Sequence, residues 1–414
     1  MPGVTAPDAG SGRVDGTGKA NGNGNGNGNG NDDLLALRQE FPILAHSTYL
    51  INNSLGAMPR AVDDELATFT REWGERGVRA WHEGWWEMAA TTGDLLAPLL
   101  GVGRGQIAMH QNVSVAAAVF LSCLDYPTER NRIVYTALNF PNVMYLAEGE
   151  RRKGAEIVVV PSDDGIGVPV ERLLAAIDEH TRVVPISHTL FRSAYVQDAE
   201  AVARRCREVG ALLLLDVYQS AGVLPLDLDA WGVDAAVGGS VKWLCGGPGA
   251  GFLWVRPDLA RTLEPALTGW QADDEPFAFR TGAIHYAETP WRFLTGTPNI
   301  PALYSCRAGY RIVAGVGAAR IRERSLALTS HLMGAAEAAG FEVRTPRDPA
   351  HRGGTVSVWH EQAETLCQEL IRREVVCDYR PHAGIRLSPH FYNTEEECDH
   401  AIAVLAEVAS KLAG

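Results

Sequence analysis

From Asn112 onward, short and nearly uninterrupted apolar runs alternate with amphipathic stretches. The runs at 132–136, 155–160, 182–187 and 211–215 predict strands, and the stretches at 141–152, 169–177 and 199–209 predict helices between them. A strand that is apolar on both sides of its pleat has to be covered on both faces. Strands of that kind, separated by helices, predict a mostly parallel sheet sandwiched between helices. Residues 235–238 and 252–255 are two further strand candidates. After about Pro301 the texture changes. A long helical region runs to Gly340, short strands follow at 341–344, 355–359, 375–378 and 385–388, and helices lie at 364–374 and up to Leu412. The fold class read from this pattern is α/β, with a large domain at 61–300 and a small C-terminal α+β domain at 301–414. Residues 34–60 form an N-terminal segment expected to join the small domain.

Residues 1–33 break the pattern. They hold ten of the 43 glycines, include the alternating Asn-Gly run at 21–31, and carry almost nothing that folding could bury. Such a stretch cannot offset the entropy of ordering it, so it is expected to be a disordered tail without a catalytic role.

Across 414 residues, 37 Lys+Arg against 50 Asp+Glu leave a net charge of −13. That balance argues against nucleic acid and anionic membrane as partners, since both are polyanionic. No run approaches the roughly 20 apolar residues of a membrane span, and the N-terminus lacks the basic and apolar regions of a secretory signal. The seven cysteines include no CxxC pair and no zinc-finger spacing. Neither a disulfide framework nor a metal site is expected, and a reducing, cytoplasmic compartment fits.

The sharpest local chemistry is Ser240-Val241-Lys242-Trp243, followed by the glycine-rich Gly246-Gly247-Pro248-Gly249-Ala250-Gly251. This is not the GxxxxGK[ST] order of a nucleotide-phosphate loop, and a GxGxxG turn after a first strand is missing. A lysine just before a glycine-rich strand start, downstream of Asp216 at the end of an apolar strand, suits pyridoxal 5′-phosphate (PLP). The lysine forms a Schiff base with the aldehyde, and the carboxylate keeps the pyridine nitrogen protonated so that the ring accepts electrons. Taken singly, such a lysine is a surface residue and such an aspartate a strand-end cap; the ordered set favours the cofactor.

From about Tyr49 to the C-terminus the chain resembles the kynureninase group of class V, fold-type I PLP enzymes. The resemblance is carried by Asn53-Ser54-Leu55-Gly56, Trp81-His82-Glu83-Gly84-Trp85-Trp86, Asn139-Phe140-Pro141, Asp216-Val217-Tyr218-Gln219-Ser220-Ala221-Gly222, the Lys242 block, Gly269-Trp270, Phe293-Leu294-Thr295-Gly296-Thr297-Pro298 and Gly384-Ile385-Arg386-Leu387. It implies that Lys242 is the Schiff-base lysine and moves the α-proton, and that Asp216 pairs with the pyridinium nitrogen. Phe140 is expected to stack on the ring. Ser114, at a helix start after Val113, is expected to hold the phosphate with the helix amides. Ser240 is expected to add a hydroxyl, and Trp270 and Thr297 to reach the phosphate from a second subunit of a homodimer. On the substrate side the resemblance implies Asn53, and Arg386 as a bidentate clamp on the α-carboxylate. Trp81 and His82, with Trp85 and Trp86, form either a substrate-side aromatic wall or a packed helix face.

Four positions depart from kynureninases. Gln219 replaces a His, Val241 the Tyr before the lysine, Val143 an Asp after Phe-Pro, and Val113 a phosphate-binding Thr. A valine side chain neither donates nor accepts a hydrogen bond. Gln219 resembles cysteine desulfurases, where this residue bonds the cofactor's phenolic oxygen, yet the mobile cysteine loop of that family has no counterpart here. The resulting expectation is side-chain cleavage of an L-α-amino acid or a conjugate of one, by Cβ–Cγ cleavage or by β-elimination, in specialised metabolism. An aminotransferase, an epimerase or a decarboxylating oxidative deaminase is the alternative on the same fold, and a catalytically inactive PLP-fold regulator is the alternative of another class.

Overall fold

The computed structural model describes residues 32–413, so the Asn-Gly run and nearly all of the expected tail lie outside the described residues. After β1 (Thr48–Tyr49), seven strands build the central sheet. They are β2 (Ile107–His110), β3 (Arg132–Thr136), β4 (Glu156–Val160), β5 (Thr181–Ser187), β6 (Leu212–Asp216), β7 (Ala235–Gly239) and β8 (Gly251–Val255). Their order is β2-β8-β7-β6-β5-β3-β4. The block from β4 to β7 is parallel, and β8 runs antiparallel to both β7 and β2. The apolar runs explain this layer: every residue of β7 and β8, and Leu213, Leu214 and Leu215 of β6, is buried. Helices pack on it, Val113–Leu121 against β7 and β8, and Ala199–Val209 against β6. Within this sheet Ser187 pairs with Asp216, and Asp216 with Val237. The carboxyl ends of β5, β6 and β7 therefore lie side by side, the edge where open α/β sheets place their ligands.

The C-terminal part holds a second, antiparallel sheet in the order β12-β13-β10-β9, made of β9 (Glu342–Val343), β10 (Val356–Trp359), β12 (Asp378–Arg380) and β13 (Gly384–Leu387). The remaining strand, β11 (Val375–Val376), pairs in parallel with β1. The run 375–378, expected as one strand, is thus divided at Cys377. Val375 and Val376 turn to the N-terminal segment, while Asp378 enters the antiparallel sheet. The long helical region is divided too, at Gly317, where a φ of +86° suits glycine, into Ile300–Val316 and Ala318–Ala338. Ile321 of the second helix packs into the core of the central sheet, and Leu328 and Leu332 into the core of the antiparallel sheet. Leu50, beside β1, belongs to that second core. No helix among the described residues is long and apolar enough to cross a membrane.

Candidate active site

A cavity of about 210 Å³ opens at the carboxyl edge of β5, β6 and β7, lined by Val113, Ser114, Phe140, Asn142, Ser187, Thr189, Phe191, Asp216, Tyr218, Gln219 and Lys242. Each wall has a local cause. Asn112 caps the helix Val113–Leu121, its side chain accepting the Val115 N–H at 3.0 Å, and this turns the helix start and Ser114 toward the cavity. The Asn139 amide donates to Pro185 O at 2.8 Å, and its oxygen accepts from Thr136 Oγ1 at 3.0 Å. That anchor fixes the bend in which Phe140 precedes Pro141, the first residue of the next helix.

Asp216 ends β6 and accepts the Tyr218 N–H at 2.9 Å. Val113, Val143, Leu214 and Val237 surround an apolar recess that also touches it. Burial pushes its carboxyl above the usual range, against the backbone hydrogen bond and the nearby Lys242 charge. A cationic ring nitrogen placed against this carboxylate would supply the counter-charge it lacks.

Lys242 lies in the turn after β7. Its Nζ sits 4.3 Å from the centre of the Tyr218 ring and 5.6 Å from that of Phe140. Burial pulls the amine down to about 8; Asp216 opposes that shift and Arg386 adds to it. Such an amine is about one-tenth unprotonated at pH 7 and half unprotonated at pH 8, far more than an ordinary lysine, and the unprotonated form is the nucleophile toward an aldehyde. Gly56 braces the turn, its N–H donating to Val241 O at 2.8 Å.

Gln219 is held on both sides. Its Nε2 donates to Asn53 O at 2.9 Å, and its Oε1 accepts from Trp243 Nε1 at 3.0 Å, leaving one amide N–H uncommitted. Ser114 Oγ donates to Asn142 Oδ1 at 2.5 Å. The buried Asn142 Nδ2 and Ser187 Oγ have no protein partner. Uncommitted donors, a helix N-terminus, an aromatic-faced slot, a buried carboxylate and a depressed lysine make a donor set that fits a phosphorylated pyridine aldehyde.

The model of the family described as Aminotransferase class-V matches residues 48–400. This chain belongs to that family. With it comes the cofactor, pyridoxal 5′-phosphate, which the residues present fit. Among curated relatives, a kynureninase of Pseudomonas fluorescens is 33% identical over 397 residues, covering 92% of this chain and 93% of that protein. A kynureninase of Burkholderia pseudomallei (strain 1106a) is 35% identical over 364 residues, covering 84% and 86%. Solved structures alike in fold include a cysteine desulfurase of Thermococcus onnurineus NA1, with TM-score 0.80, 19% identity and coverage of 91% and 98%. A cystine C–S lyase in complex with cysteine persulfide has TM-score 0.80, 22% identity and coverage of 89% and 99%.

Of the class V residues read from the sequence, Lys242, Asp216, Phe140, Ser114, Val113 and Gln219 share the cavity. Ser240 does not reach it. Its hydroxyl donates to Ala250 O at 2.9 Å and is hydrogen-bonded to Tyr310 OH, so it braces the lysine turn from behind. Arg386 differs from expectation as well. On β13 it lies opposite Asp378 of β12, donating from Nε at 2.8 Å and from Nη2 at 2.5 Å, with Nη1 bonded to Phe191 O at 2.5 Å. Its side-on fork is therefore taken by Asp378, and the Asn53 amide oxygen, with that amide turned to accept, lies 3.1–3.2 Å from all three guanidinium nitrogens; Arg386 does not line the cavity. Trp270 and Thr297 are exposed and outside this cavity. Trp270 joins Trp86, Phe277 and Phe279 in an aromatic cluster. Trp81 packs edge-on against Trp85, which bonds Glu72 and Tyr304, while His82 is exposed; none of the three lines this cavity. Sequence reading missed Asn142, Ser187, Thr189, Phe191 and Tyr218. Asn142 and Tyr218 stand inside or beside quoted motifs, so adjacency to Phe140 and Asp216 was the available signal; Ser187 to Phe191 carried none.

Proposed function

We propose that this class V enzyme cleaves the side chain of an L-α-amino acid or an amino-acid conjugate, either at Cβ–Cγ or by β-elimination. The observation that carries the reading is Lys242, buried in a cavity that Asp216 also lines, with Nζ near the Phe140 and Tyr218 rings and its amine pulled down by burial to about 8. Bound PLP supplies an electron sink for negative charge developing at the amino acid's α-carbon. The chain supplies the rest. Lys242 would hold the cofactor by its aldehyde carbon, and its Nζ, freed when the substrate's amine takes its place there, would accept the α-proton. The Asp216 carboxylate holds a proton on the ring nitrogen, and Ser114 with the adjacent helix amides anchors the phosphate. Arg386 is the candidate for the α-carboxylate, which it would take on Nη1 in place of Phe191 O. The kynureninase relatives support cleavage at carbon.

A second copy of the chain is part of the proposal. In it Trp270 and Thr297 serve the phosphate site of the partner, a role that their exposure supports.

The test is to incubate the PLP-loaded protein with L-kynurenine and with S-conjugated cysteines, and to identify products by mass spectrometry. Anthranilate with alanine, or pyruvate with ammonia and a released thiol, is expected. Clean transfer of the α-amine to a keto acid, with the side chain intact, would overturn the reading.

A further inference from the structure

All seven cysteines are free thiols, and two of them meet. Cys367 lies on the buried face that the helix Ala363–Arg372 shares between Leu366 and Leu370, and Cys377 is the single residue between β11 and β12. The helix packs on both strands, and the two Sγ atoms stand 3.7 Å apart. The pair is asymmetric. Cys367 keeps 4% of its surface exposed, next to the exposed Gln368, whereas Cys377 is fully enclosed. The hydrogen bond from Cys377 holds the Cys367 thiol below its ordinary range against burial, and the Arg380 and Arg386 charges act in the same direction. The same bond, with burial, pushes Cys377 well above its range. A thiolate, not a thiol, attacks an oxidant. Cys367 is thus both the more reactive sulfur and the one with a path to a small molecule, and Cys377 is in place to resolve it.

We propose that Cys367 and Cys377 form a redox modification site, closed to a disulfide by hydrogen peroxide and reopened by a dithiol. The Cys367 thiolate attacks one peroxide oxygen; an S–O bond forms, the O–O bond breaks, and the leaving hydroxide takes up a proton as water. The Cys377 sulfur then attacks the Cys367 sulfenic acid. The S–S bond forms, the S–O bond breaks, and the second hydroxide leaves as water with the Cys377 proton. Two thiols are oxidised and one peroxide is reduced to two waters. A disulfide holds its sulfurs about 2 Å apart, so closure draws the helix and the β11–β12 junction together. That junction is one residue from Asp378, the partner of Arg386. In a reducing compartment a bond of this kind is transient.

The test exposes the folded full-length protein to hydrogen peroxide, blocks the remaining thiols with N-ethylmaleimide in urea, and maps tryptic peptides without reduction. Cleavage at Arg372 and Arg373 puts the two cysteines on different peptides. These two peptides are expected to be joined, at a mass two hydrogens below their sum, and to separate on treatment with dithiothreitol. In C377S, dimedone is expected to trap a sulfenic acid on Cys367; in C367S, Cys377 is expected to stay a thiol. Circular dichroism of each protein confirms the fold. Free thiols at both positions of peroxide-treated wild type would overturn the inference. So would a link from either residue to another cysteine, or a link that forms only after the protein has been unfolded. The readout is thiol chemistry alone, so its outcome is independent of the reaction proposed at Lys242.

Discussion

Arg386 and Asp378 stand at the same register position on the neighbouring strands β13 and β12, and two hydrogen bonds of 2.8 and 2.5 Å join them. Both are buried, and Phe191 O and the Asn53 amide complete the shell around the guanidinium. Breaking a buried pair by removing one partner leaves an uncompensated charge. Asp378→Ala is expected to destabilise the protein by roughly 3–5 kcal/mol in urea unfolding. Adding Arg386→Met to it should cost less than the sum of the single changes. Additive losses would show that the two side chains do not depend on each other.

Lys242 gives a pH signature. Its folded value of about 8 lies below the ordinary 10.5, so between these values the unfolded chain binds more protons than the folded one. The contribution of this group to stability therefore rises with pH across that window and is lost as pH falls toward 8. In cofactor-free protein, wild type should gain stability relative to Lys242→Met from pH 8 to 10.5, read by urea melts. The rate of PLP uptake should climb through about pH 8 and then level off. A rate independent of pH through that range would contradict a titrating amine at this position.

Three buried histidines set the acid limit. His110, His188 and His390 are each pulled down to about 4 from 6.5 by burial. Below 6.5 the unfolded chain takes up protons that the folded one refuses, so stability falls as pH drops from 6.5 toward 4. The loss between about pH 7 and 5 is on the order of 2 kcal/mol per histidine. His390→Gln should remove one such share from the slope measured by urea unfolding.

Gly56 is a packing requirement for the lysine turn. A Cβ there would collide with Lys242 O and crowd Cys245, and the obstacle is backbone. Gly56→Ala should cost about 1–3 kcal/mol in thermal or urea unfolding and lower the amount of PLP bound per chain. Full PLP content with unchanged stability would show that the turn is free to shift.

Much of the fold was legible because a buried parallel strand has no polar side to hide. The runs at 132–136 and 235–238 announced β3 and β7 to within a residue. Elements whose partners lie far along the chain were less clear: 375–378 is one apolar run in sequence and two different strands in space. The site followed the same division. Lys242, Asp216, Phe140 and Ser114 stand at strand ends or helix starts, where local chemistry marks them. Ser187 and Phe191 line the cavity only because β5 pairs beside β6.

By itself, then, the sequence determined a helix-covered parallel sheet, a lysine and a carboxylate suited to PLP, and the helix start at Val113 and Ser114, because these depend on periodicity and on residues near one another in the chain. Tertiary structure alone decided that Asp378 occupies the fork of Arg386, that Ser240 turns to Ala250 and Tyr310, and that the Cys367 and Cys377 sulfurs meet. Each of these is set by strand register or by close approach between separate segments, and a side chain's partner across a sheet is a matter of geometry that no local pattern encodes.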